Sequence, residues 1–154
     1  ALPRILAAQV VPATGEFVVM GEDDHANREN AKRNIGIVGH RSLLYAELTV
    51  LENLQFYGSF INAEECEFDR VLKITDIERW KDTKTGHLSY GLRKRGDISR
   101  ALLGDPAILF LDEFFAGLDQ EKAGALAEYK AGLKDQTIIT TSHTPELINS
   151  LCTK

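Results

Sequence analysis

The sequence has few cysteines, no long apolar run and no excess of positive charge, and each absence narrows the class of protein. Its two cysteines, Cys66 and Cys152, lack the spacing of metal ligands, which favours reduced thiols over a disulfide framework. No apolar run approaches the ~20 residues that a membrane-spanning helix needs, and no signal peptide is visible. We therefore expect a chain that, if it works at a membrane, does so as a peripheral subunit on a partner.

Charge and composition are those of an ordinary globular chain. The formal net charge of −5 argues against a nucleic-acid binder, because such proteins usually present a basic face. Hydrophobic residues make up 44% and charged residues 27% of the 154 positions, enough for one domain with a sizeable core. A local basic patch is formed by Arg93, Lys94, Arg95 and Arg100, and we expect at least some of it to be a solvated helix face.

The residues that carry chemistry are concentrated between positions 88 and 119. This stretch opens with the polar turn LSYG at 88–91, in which Ser89 is a good N-cap for a following helix. The free N–H groups at such a helix start favour anions. The stretch ends in the turn GLD at 117–119, in which Asp119 caps the next helix.

Between these turns an apolar run at 107–111 is followed by two adjacent carboxylates, Asp112 and Glu113. The run predicts a strand buried on both faces, as in a parallel sheet. The carboxylates then stand at its carboxyl end, where open α/β sheets bind ligands, and strand alternation sends them different ways. One can hold a Mg²⁺ shell while the other faces a water, a division that suits phosphoryl transfer.

Further elements are predicted before this stretch. Strands are expected at 16–20 and 34–38, a polar turn at 21–24 and a short helix at 26–32. The capping box from Thr49 to Glu52 predicts a helix that begins near Val50. Its partly apolar face would comprise Leu51, Leu54, Gln55 and Phe60. A second helix at 64–74 would bury Phe68, Val71 and Leu72, and Trp80 would pack between helices.

After the stretch, a helix at 119–133 and a β-branched strand at 137–141 are predicted. The strand closes on Ser142-His143, which places a histidine at its carboxyl end. A last short helix is expected at 145–151.

Together these pieces resemble the signature motif, Walker B strand and D-loop of an ABC-type ATPase, the nucleotide-binding domain of ABC transporters. LSYGL at 88–92 is similar to the signature LSGGQ, from which Tyr90 and Leu92 depart. Arg100 matches the arginine of the helix that follows the signature. The ordered set, with 23 positions from Ser89 to Asp112, is more specific than any one motif.

The resemblance implies a fold, a chemistry and partners. The fold would be α/β, a P-loop NTPase-like parallel sheet, incomplete at its N-terminus, with an inserted helical subdomain at about 45–103 within a single domain of residues 1–154. ATP and Mg²⁺ would be the cofactors, and ATP hydrolysis would drive export. The partners would be a transmembrane subunit and a second ABC ATPase domain in a head-to-tail dimer, at the cytoplasmic face of the cell membrane, with no nucleic acid.

The resemblance also implies catalytic roles. Asp112 would be the Walker B aspartate that holds the metal, and Glu113 would be the catalytic glutamate. His143 would be the switch histidine that contacts the γ-phosphate and helps to place the attacking water. Among departures from the family pattern, Phe114 replaces a proline and Asp97 stands where the family has a small residue.

Nucleotide-binding roles follow in the same way. Ser89 and Gly91 would lie against the γ-phosphate bound by the other subunit, and Asp119 would belong to the D-loop. The segment at 35–54 is similar to the Q-loop region, with His40 in place of the usual glutamine. That GH pair is similar to the haem-exporter, or cytochrome c biogenesis, ATP-binding subunits. His40 could hydrogen-bond a water or a Mg²⁺-bound oxygen, and the alternative is a surface histidine that caps a loop.

One motif of the family does not occur in these 154 residues. A P-loop needs G-x-x-x-x-G-K-[ST], so that backbone N–H groups and a lysine hold the phosphates. Gly91 and Gly96 have the right spacing, but Asp97 stands where the lysine should be. The chain therefore looks like an ABC ATPase domain whose Walker A part is not present, and we expect it to bind ATP poorly alone.

Two other classes of function remain open. The chain could be a non-catalytic, degenerate ABC domain that contributes only its signature face or docks a transmembrane subunit. It could also be an ABC-type ATPase of DNA repair, although the acidic charge and the absence of long coiled-coil heptads count against that class.

Overall fold

The computed structural model describes residues 34–112 and 136–141 in full and the backbone of residues 18–19 and 22–23. Helices and a mainly parallel set of strands alternate along this part of the chain. In chain order the elements are β1 (Val18–Val19), β2 (Glu22–Asp23), β3 (Ile35–Val38), α1 (Val50–Gly58), α2 (Glu65–Ile74), 3₁₀ turns at Glu78–Trp80 and Thr85–His87, α3 (Tyr90–Ala101), β4 (Ile108–Asp112) and β5 (Thr137–Thr141).

Within the described residues, β3, β4 and β5 form one sheet in that order, and both pairings are parallel. The central strand β4 is the predicted apolar run. Its residues Leu109, Phe110 and Leu111 are at most 3% exposed, because neighbours cover both faces of the strand. The predicted strands at 34–38, 108–111 and 137–141 and their parallel pairing are thus confirmed, and the fold is α/β.

The helices build a layer against this sheet. Leu54 of α1, Leu72 of α2 and Ile98 of α3 belong to one buried cluster that also contains Val38 and Leu109 of the sheet. Trp80 packs against the cluster, as its position between helices predicted. This cluster therefore joins the three helices to the strands that end at the candidate site.

Helix α1 begins where the sequence predicts. The Thr49 hydroxyl accepts a hydrogen bond from the Glu52 amide at 3.1 Å, and the Glu52 carboxylate accepts one from the Thr49 amide at 2.7 Å. This is a complete capping box, which satisfies two N–H groups at the helix start. The Thr49 amide, and after it the Thr49 hydroxyl, hold the pKa of the Glu52 carboxyl below its usual range.

Some predictions for this region are wrong. Gln55 and Phe60 are exposed rather than on the apolar face; α1 ends at Gly58, so Phe60 lies beyond it. The buried polar position on α1 is instead Asn53. The turn predicted at 21–24 contains strand β2, which pairs antiparallel with β1. The predicted helices at 26–32, 119–133 and 145–151 lie outside the described residues.

Candidate functional site: the carboxyl edge of the sheet

The parallel register brings three strand ends to one edge. Val38, the last residue of β3, pairs with Leu111, and Asp112 pairs with Thr141, the last residue of β5. The loop that follows β3, residues 39–44 and here called the His40 loop, therefore leaves the sheet beside Asp112. Open α/β sheets bind ligands at this edge.

Asp112 is held from the neighbouring strand. The Thr141 hydroxyl donates to Oδ1 of Asp112 at 2.7 Å, and Asp112 itself is partly exposed. A carboxylate has about four lone-pair sites, so capacity remains for a cation. The donor chemistry fits Mg²⁺, which commonly takes one or two carboxylates together with substrate phosphates. In the part of the chain that the structure describes, no cluster of three or more His, Cys, Asp or Glu side chains could hold a metal ion.

The signature turn is exposed at the start of α3. Ser89 is the N-cap, and its hydroxyl accepts a hydrogen bond from the Leu92 amide at 3.3 Å, which confirms the predicted cap. Ser89 is exposed, and a Cβ added to Gly91 would meet nothing within 4 Å. The helix start is therefore open to an approaching anion.

Arg93 stabilises the backbone just before this turn. Its guanidinium donates to the carbonyl oxygens of Thr85, Gly86 and Leu88 at 3.1, 3.3 and 3.2 Å. These three carbonyls precede Ser89 in the chain, so the side chain ties the 3₁₀ turn to the first turn of α3. Arg95 lies nearer the surface and pairs with Asp76 at 2.6 Å.

The other two members of the basic patch, Lys94 and Arg100, have largely buried side chains, so a solvated helix face does not describe them. Lys94 is 3% exposed, and the Arg100 side chain is 11% exposed. Nζ of Lys94 donates to the carbonyls of Gly39 at 2.6 Å and His40 at 3.1 Å, and Arg100 donates to the carbonyl of Ile37. The cations are buried because the backbone of β3 and the His40 loop accepts their hydrogen bonds.

Asp97 completes this arrangement. It is 1% exposed, its Oδ1 accepts the Leu43 amide at 3.0 Å, and the same oxygen lies 4.0 Å from Nε of Arg100. Together with Lys94 it is the feature that sequence reasoning missed. The available signal was their i, i+3 spacing on the stripe of α3 that also carries Ile98 and Ala101.

Burial dominates the electrostatics of these groups. Burial raises the pKa of Asp97 above its ordinary range. The Ser42 hydroxyl, the Leu43 amide and the charges of Arg100 and Lys94 lower the same pKa but do not offset burial. It lowers the pKa of Lys94, which the charges of Asp97 and then Asp112 oppose. Lys94 therefore lies in the fields of both acids.

A cavity of about 340 Å³ separates the His40 loop from the start of α3. Its lining includes His40, Arg41 and Ser42 from the loop and Tyr90, Lys94 and Asp97 from the helix. His40 is exposed. Of the predicted nucleotide residues, His40 lines this cavity, whereas Ser89 and Gly91 do not, although Tyr90 between them does.

Three predicted site residues lie outside the described residues. Glu113 follows β4, and His143 stands two positions after the end of β5. Asp119 belongs to the turn predicted at 117–119. Their roles stay predictions, supported by the strands that lead into two of them.

An exposed aromatic cluster lies on the helical layer. The rings of Tyr45, Phe56, Tyr57 and Phe60 contact one another, with centroid separations of 5.1–6.2 Å. Tyr45 is 51% and Phe60 is 65% exposed. Contiguous exposed apolar surface of this kind is typical of protein interfaces.

A parallel sheet with an acid at its carboxyl edge and helices packed against it has the layout of an α/β domain that binds ligands at that edge. The family model described as ABC transporter matches residues 1–116. This chain belongs to the ABC transporter family.

Curated relatives agree with this assignment. The Nod factor export ATP-binding protein I of Rhizobium sp. (strain N33) is 32% identical over 98% of this chain and 52% of its own length. The ABC transporter A family member 6 of Dictyostelium discoideum is 30% identical over 97% of this chain and 10% of its own length. The chain thus spans about half the length of the first of these relatives.

Solved structures share the fold. cbiO1 from Clostridium perfringens, described as part of the ABC transporter complex cbiONQ, superposes with a TM-score of 0.81 at 27% identity, over 98% of this chain and 64% of that one. A bacterial Atm1-family ABC exporter with ATP bound gives a TM-score of 0.81 at 26% identity, over 96% of this chain and 27% of that one. Among the described residues of our chain, no helix is both long and apolar enough to cross a membrane.

Proposed function

We propose that the chain is part of the ATP-hydrolysing subunit of an ABC transporter and that it powers export across a membrane. The observation that carries the proposal is the parallel register, which brings Asp112 and the His40 loop to one edge of the sheet. The exposed Ser89 turn stands on the helix that holds that loop. Residues 1–154 would form one ABC-type domain, with the helical subdomain at about 45–103.

The proposed roles follow from position. Asp112 would hold Mg²⁺, which supplies charge neutralisation at the phosphates when bound, and Thr141 orients that carboxylate. Glu113 would orient and deprotonate the attacking water, and His143 would position it against the γ-phosphate. His40 would hydrogen-bond a water or a metal-bound oxygen from the β3 side, and Asp119 would contact nucleotide at the D-loop.

The signature turn is proposed to act in trans. Ser89 and Gly91 would face the γ-phosphate held by the Walker A motif of a second ABC ATPase domain, in a head-to-tail dimer. The support is physical: the N-terminus of α3 is open, and Gly91 presents no side chain to an incoming phosphate.

A trans-complementation assay tests this proposal. An ABC ATP-binding domain with an intact Walker A motif, but with its own signature serine changed to arginine, would be mixed with this chain. We expect ATPase activity to appear with the wild-type chain, to be lost with Ser89→Arg and to be retained with Ser59→Arg, an exposed serine at the end of α1. No gain of activity with the wild-type chain would contradict the trans role.

Nucleotide binding by the chain alone is proposed to be weak, because these 154 residues contain no G-x-x-x-x-G-K-[ST] string. Isothermal titration with Mg·ATP would test this. Micromolar binding would contradict it. A chain that binds no ATP and yet supports hydrolysis in trans would agree with both proposals.

The partner is proposed to be a transmembrane subunit, which would place the chain at the cytoplasmic face of the cell membrane. The exposed aromatic cluster of Tyr45, Phe56, Tyr57 and Phe60 supports this, since it lies on the helical layer beside the His40 loop. Phe60→Ser should weaken co-purification with that subunit. Tyr90→Ser, at the exposed start of α3, is the matched control.

The exported substrate is a finer proposal. The GH pair at residues 39–40 suggests haem export for cytochrome c assembly, whereas the relatives described above carry names of Nod factor export and of the A family. Loss of holocytochrome c after deletion of the gene, with restoration by the wild-type copy, would support haem. Normal cytochrome c would rule it out and leave another exported substrate.

The alternative is a non-catalytic ABC domain that serves only as a docking or signature partner. ATPase activity of the isolated chain, compared with its activity in the trans mixture, separates the two possibilities. Hydrolysis by the isolated chain that is lost in Glu113→Gln would support a catalytic acid at the chain's own site, whereas turnover that is found only in the mixture and depends on Ser89 would favour the degenerate role.

A further inference from the structure

We propose that Lys94 and Asp97 are positioning residues that fasten the His40 loop to helix α3, so that this loop and the Ser89 turn move as one body. The effect of this attachment on ATP turnover rests on the proposed function. The attachment itself does not, and separate experiments test the attachment and its effect.

The attachment consists of side chains from one stripe of α3 and backbone groups from one short segment. Arg100 donates to the Ile37 carbonyl, and Lys94 donates to the carbonyls of Gly39 and His40. Asp97 accepts the Leu43 amide. Three side chains spaced three residues apart on α3, at 94, 97 and 100, therefore bond to backbone groups within residues 37–43. The two cations bond in reverse chain order, because Arg100 reaches Ile37 and Lys94 reaches Gly39 and His40.

Lys94 provides the backbone of the His40 loop with hydrogen bonds, as a neighbouring strand does for the backbone of β3. Parallel pairing between β3 and β4 covers residues 35–38, and beyond Val38 the carbonyls of Gly39 and His40 need other donors. Both hydrogen bonds that these carbonyls accept from Lys94 are partly buried. Lys94 supplies both donors from a single ammonium group, so the path of the backbone at His40 depends on α3.

The two charges also depend on each other. Lys94 is 3% and Asp97 is 1% exposed, and each charge opposes the effect of burial on the pKa of the other. Oδ2 of Asp97 and Nε of Arg100 have no hydrogen-bond partner within the described residues. The bonded oxygen of Asp97 is the one that accepts the loop amide, so the carboxylate is oriented toward the loop.

Amide hydrogen exchange on the full 154-residue chain tests the attachment without nucleotide. In Asp97→Ala we expect the Leu43 amide to exchange roughly 10- to 100-fold faster than in wild type, because a charge-assisted hydrogen bond is lost locally. The amides of Val71 and Leu72 in the α2 core report global opening. Asp97→Asn, which keeps an acceptor oxygen, should restore most of the protection. Asp69→Ala, an exposed acid on α2, is the matched control and should leave Leu43 unchanged.

Exchange at Leu43 that rises only in step with Val71 and Leu72 would overturn the proposal, since it would show a purely global effect. If Asp97→Ala does not fold, the NMR spectrum of the wild-type chain still tests the attachment. The proton shift of the Leu43 amide should follow the titration of Asp97 in wild type and should not do so in Asp97→Asn. An amide shift that is identical in the two proteins across the titration would also overturn it.

A separate experiment tests the contribution of Lys94 to the attachment. Lys94→Met keeps the aliphatic stem but removes the donors, whereas Lys94→Arg keeps charge and donors. We expect Lys94→Met to shift the amide resonances at residues 40–43 and at the start of α3 together, with Lys94→Arg closer to wild type. Shifts of amide resonances that are confined to α3 would contradict the proposal that the His40 loop and the Ser89 turn move together.

In the trans assay, Lys94→Met should lower the maximal ATPase rate about tenfold with little change in the ATP concentration for half-maximal rate. An unchanged maximal rate would contradict the link to turnover. If even the wild-type chain fails in that assay, the proposed function fails, while the exchange results still decide the attachment.

Discussion

The Thr141 hydroxyl donates to Oδ1 of Asp112 across 2.7 Å, from the last residue of β5 to the last residue of β4. Thr141→Val keeps the shape of the side chain but removes this donor. We expect a loss of about 1 kcal/mol in the free energy of unfolding, since a bond to a charged acceptor is lost at a partly exposed site.

Urea unfolding measures this effect, and Thr137→Val is its control. Thr137 is the exposed first residue of the same strand, so its change should stay within about 0.5 kcal/mol. Equal effects at both positions would show that the loss reflects strand propensity rather than the bond to Asp112.

Two helix caps of different quality give a second prediction. Thr49 belongs to a two-way capping box, whereas Ser89 accepts one longer bond of 3.3 Å. Thr49→Ala should therefore cost about 1 kcal/mol and Ser89→Ala about 0.5 kcal/mol. Thermal and urea unfolding of the two variants would check the order, and a larger loss at Ser89 would contradict it.

The buried amide of Asn53 gives a third. It is 0% exposed, its Nδ2 donates to the carbonyls of Tyr45, Leu48 and Thr49, and its Oδ1 accepts the Tyr45 amide at 2.7 Å. Asn53→Ala should cost about 3 kcal/mol, because it removes these hydrogen bonds at a fully buried position and takes away the acceptor of the Tyr45 amide.

Gln55, exposed on the same helix, is the control for this test. Gln55→Ala should change the free energy of unfolding by less than about 0.5 kcal/mol. Comparable losses at positions 53 and 55 would mean that the Asn53 bonds contribute little.

Substitution by alanine should have opposite effects on stability at two glycines, Gly36 and Gly91. A Cβ at Gly36 would lie 2.3 Å from the Ala101 carbonyl oxygen and 2.9 Å from Cδ1 of Leu109, whereas one at Gly91 would be in open space. Gly36→Ala should cost about 3 kcal/mol through overpacking, and Gly91→Ala should gain up to about 1 kcal/mol from helix propensity. Calorimetry of both variants would test this. In the trans assay, Gly91→Ala should nonetheless reduce activity, because the added methyl group obstructs the phosphate.

The fifth prediction concerns pH. Burial raises the pKa of Asp97 above its ordinary 3.8, although Ser42, Leu43, Arg100 and Lys94 oppose the shift, and the phenols of Tyr57 and Tyr90 also lie within its field. The folded chain thus holds this proton more tightly than the unfolded chain. The contribution of Asp97 to stability is complete below pH 3.8 and declines as the pH rises through the folded pKa.

Asp97→Asn removes this dependence. We expect the stability of wild type relative to Asp97→Asn to increase as the pH is lowered from about 7 to about 4, as measured by urea unfolding at several pH values. The exposed Asp69→Asn variant controls for general charge effects. A difference that stays flat or decreases would contradict a raised pKa.

Local signals were sufficient for the starts of α1 and α3 and for strand β4. The caps at Thr49 and Ser89 depend on residues three positions away, and the β4 run is apolar throughout, so the sequence alone predicts all three. The end of α1 at Gly58 was missed, which placed Phe60 on a helix face that does not extend to it.

The buried charges could not be predicted in the same way. A run of basic residues is typical of a solvated helix face, and the burial of Lys94 and Arg100 depends on backbone carbonyls 55 and 63 positions earlier in the chain. Which carbonyls lie there is decided by the packing of α3 against β3. Asp97 was recognised as unusual in the sequence, but its partner, the Leu43 amide, could be found only in the fold.

Helix α3 is anchored to β3 through Arg100 near its carboxyl end and carries Ser89 at the other. Eleven residues separate the two, which at about 1.5 Å per residue is an arm of roughly 16 Å. A tilt of about 4° around the Arg100 end would therefore displace the Ser89 hydroxyl by roughly 1 Å, the difference between touching a phosphate oxygen and missing it. If Ser89 contacts a second molecule as proposed, small rotations of the helical layer would open or close that contact.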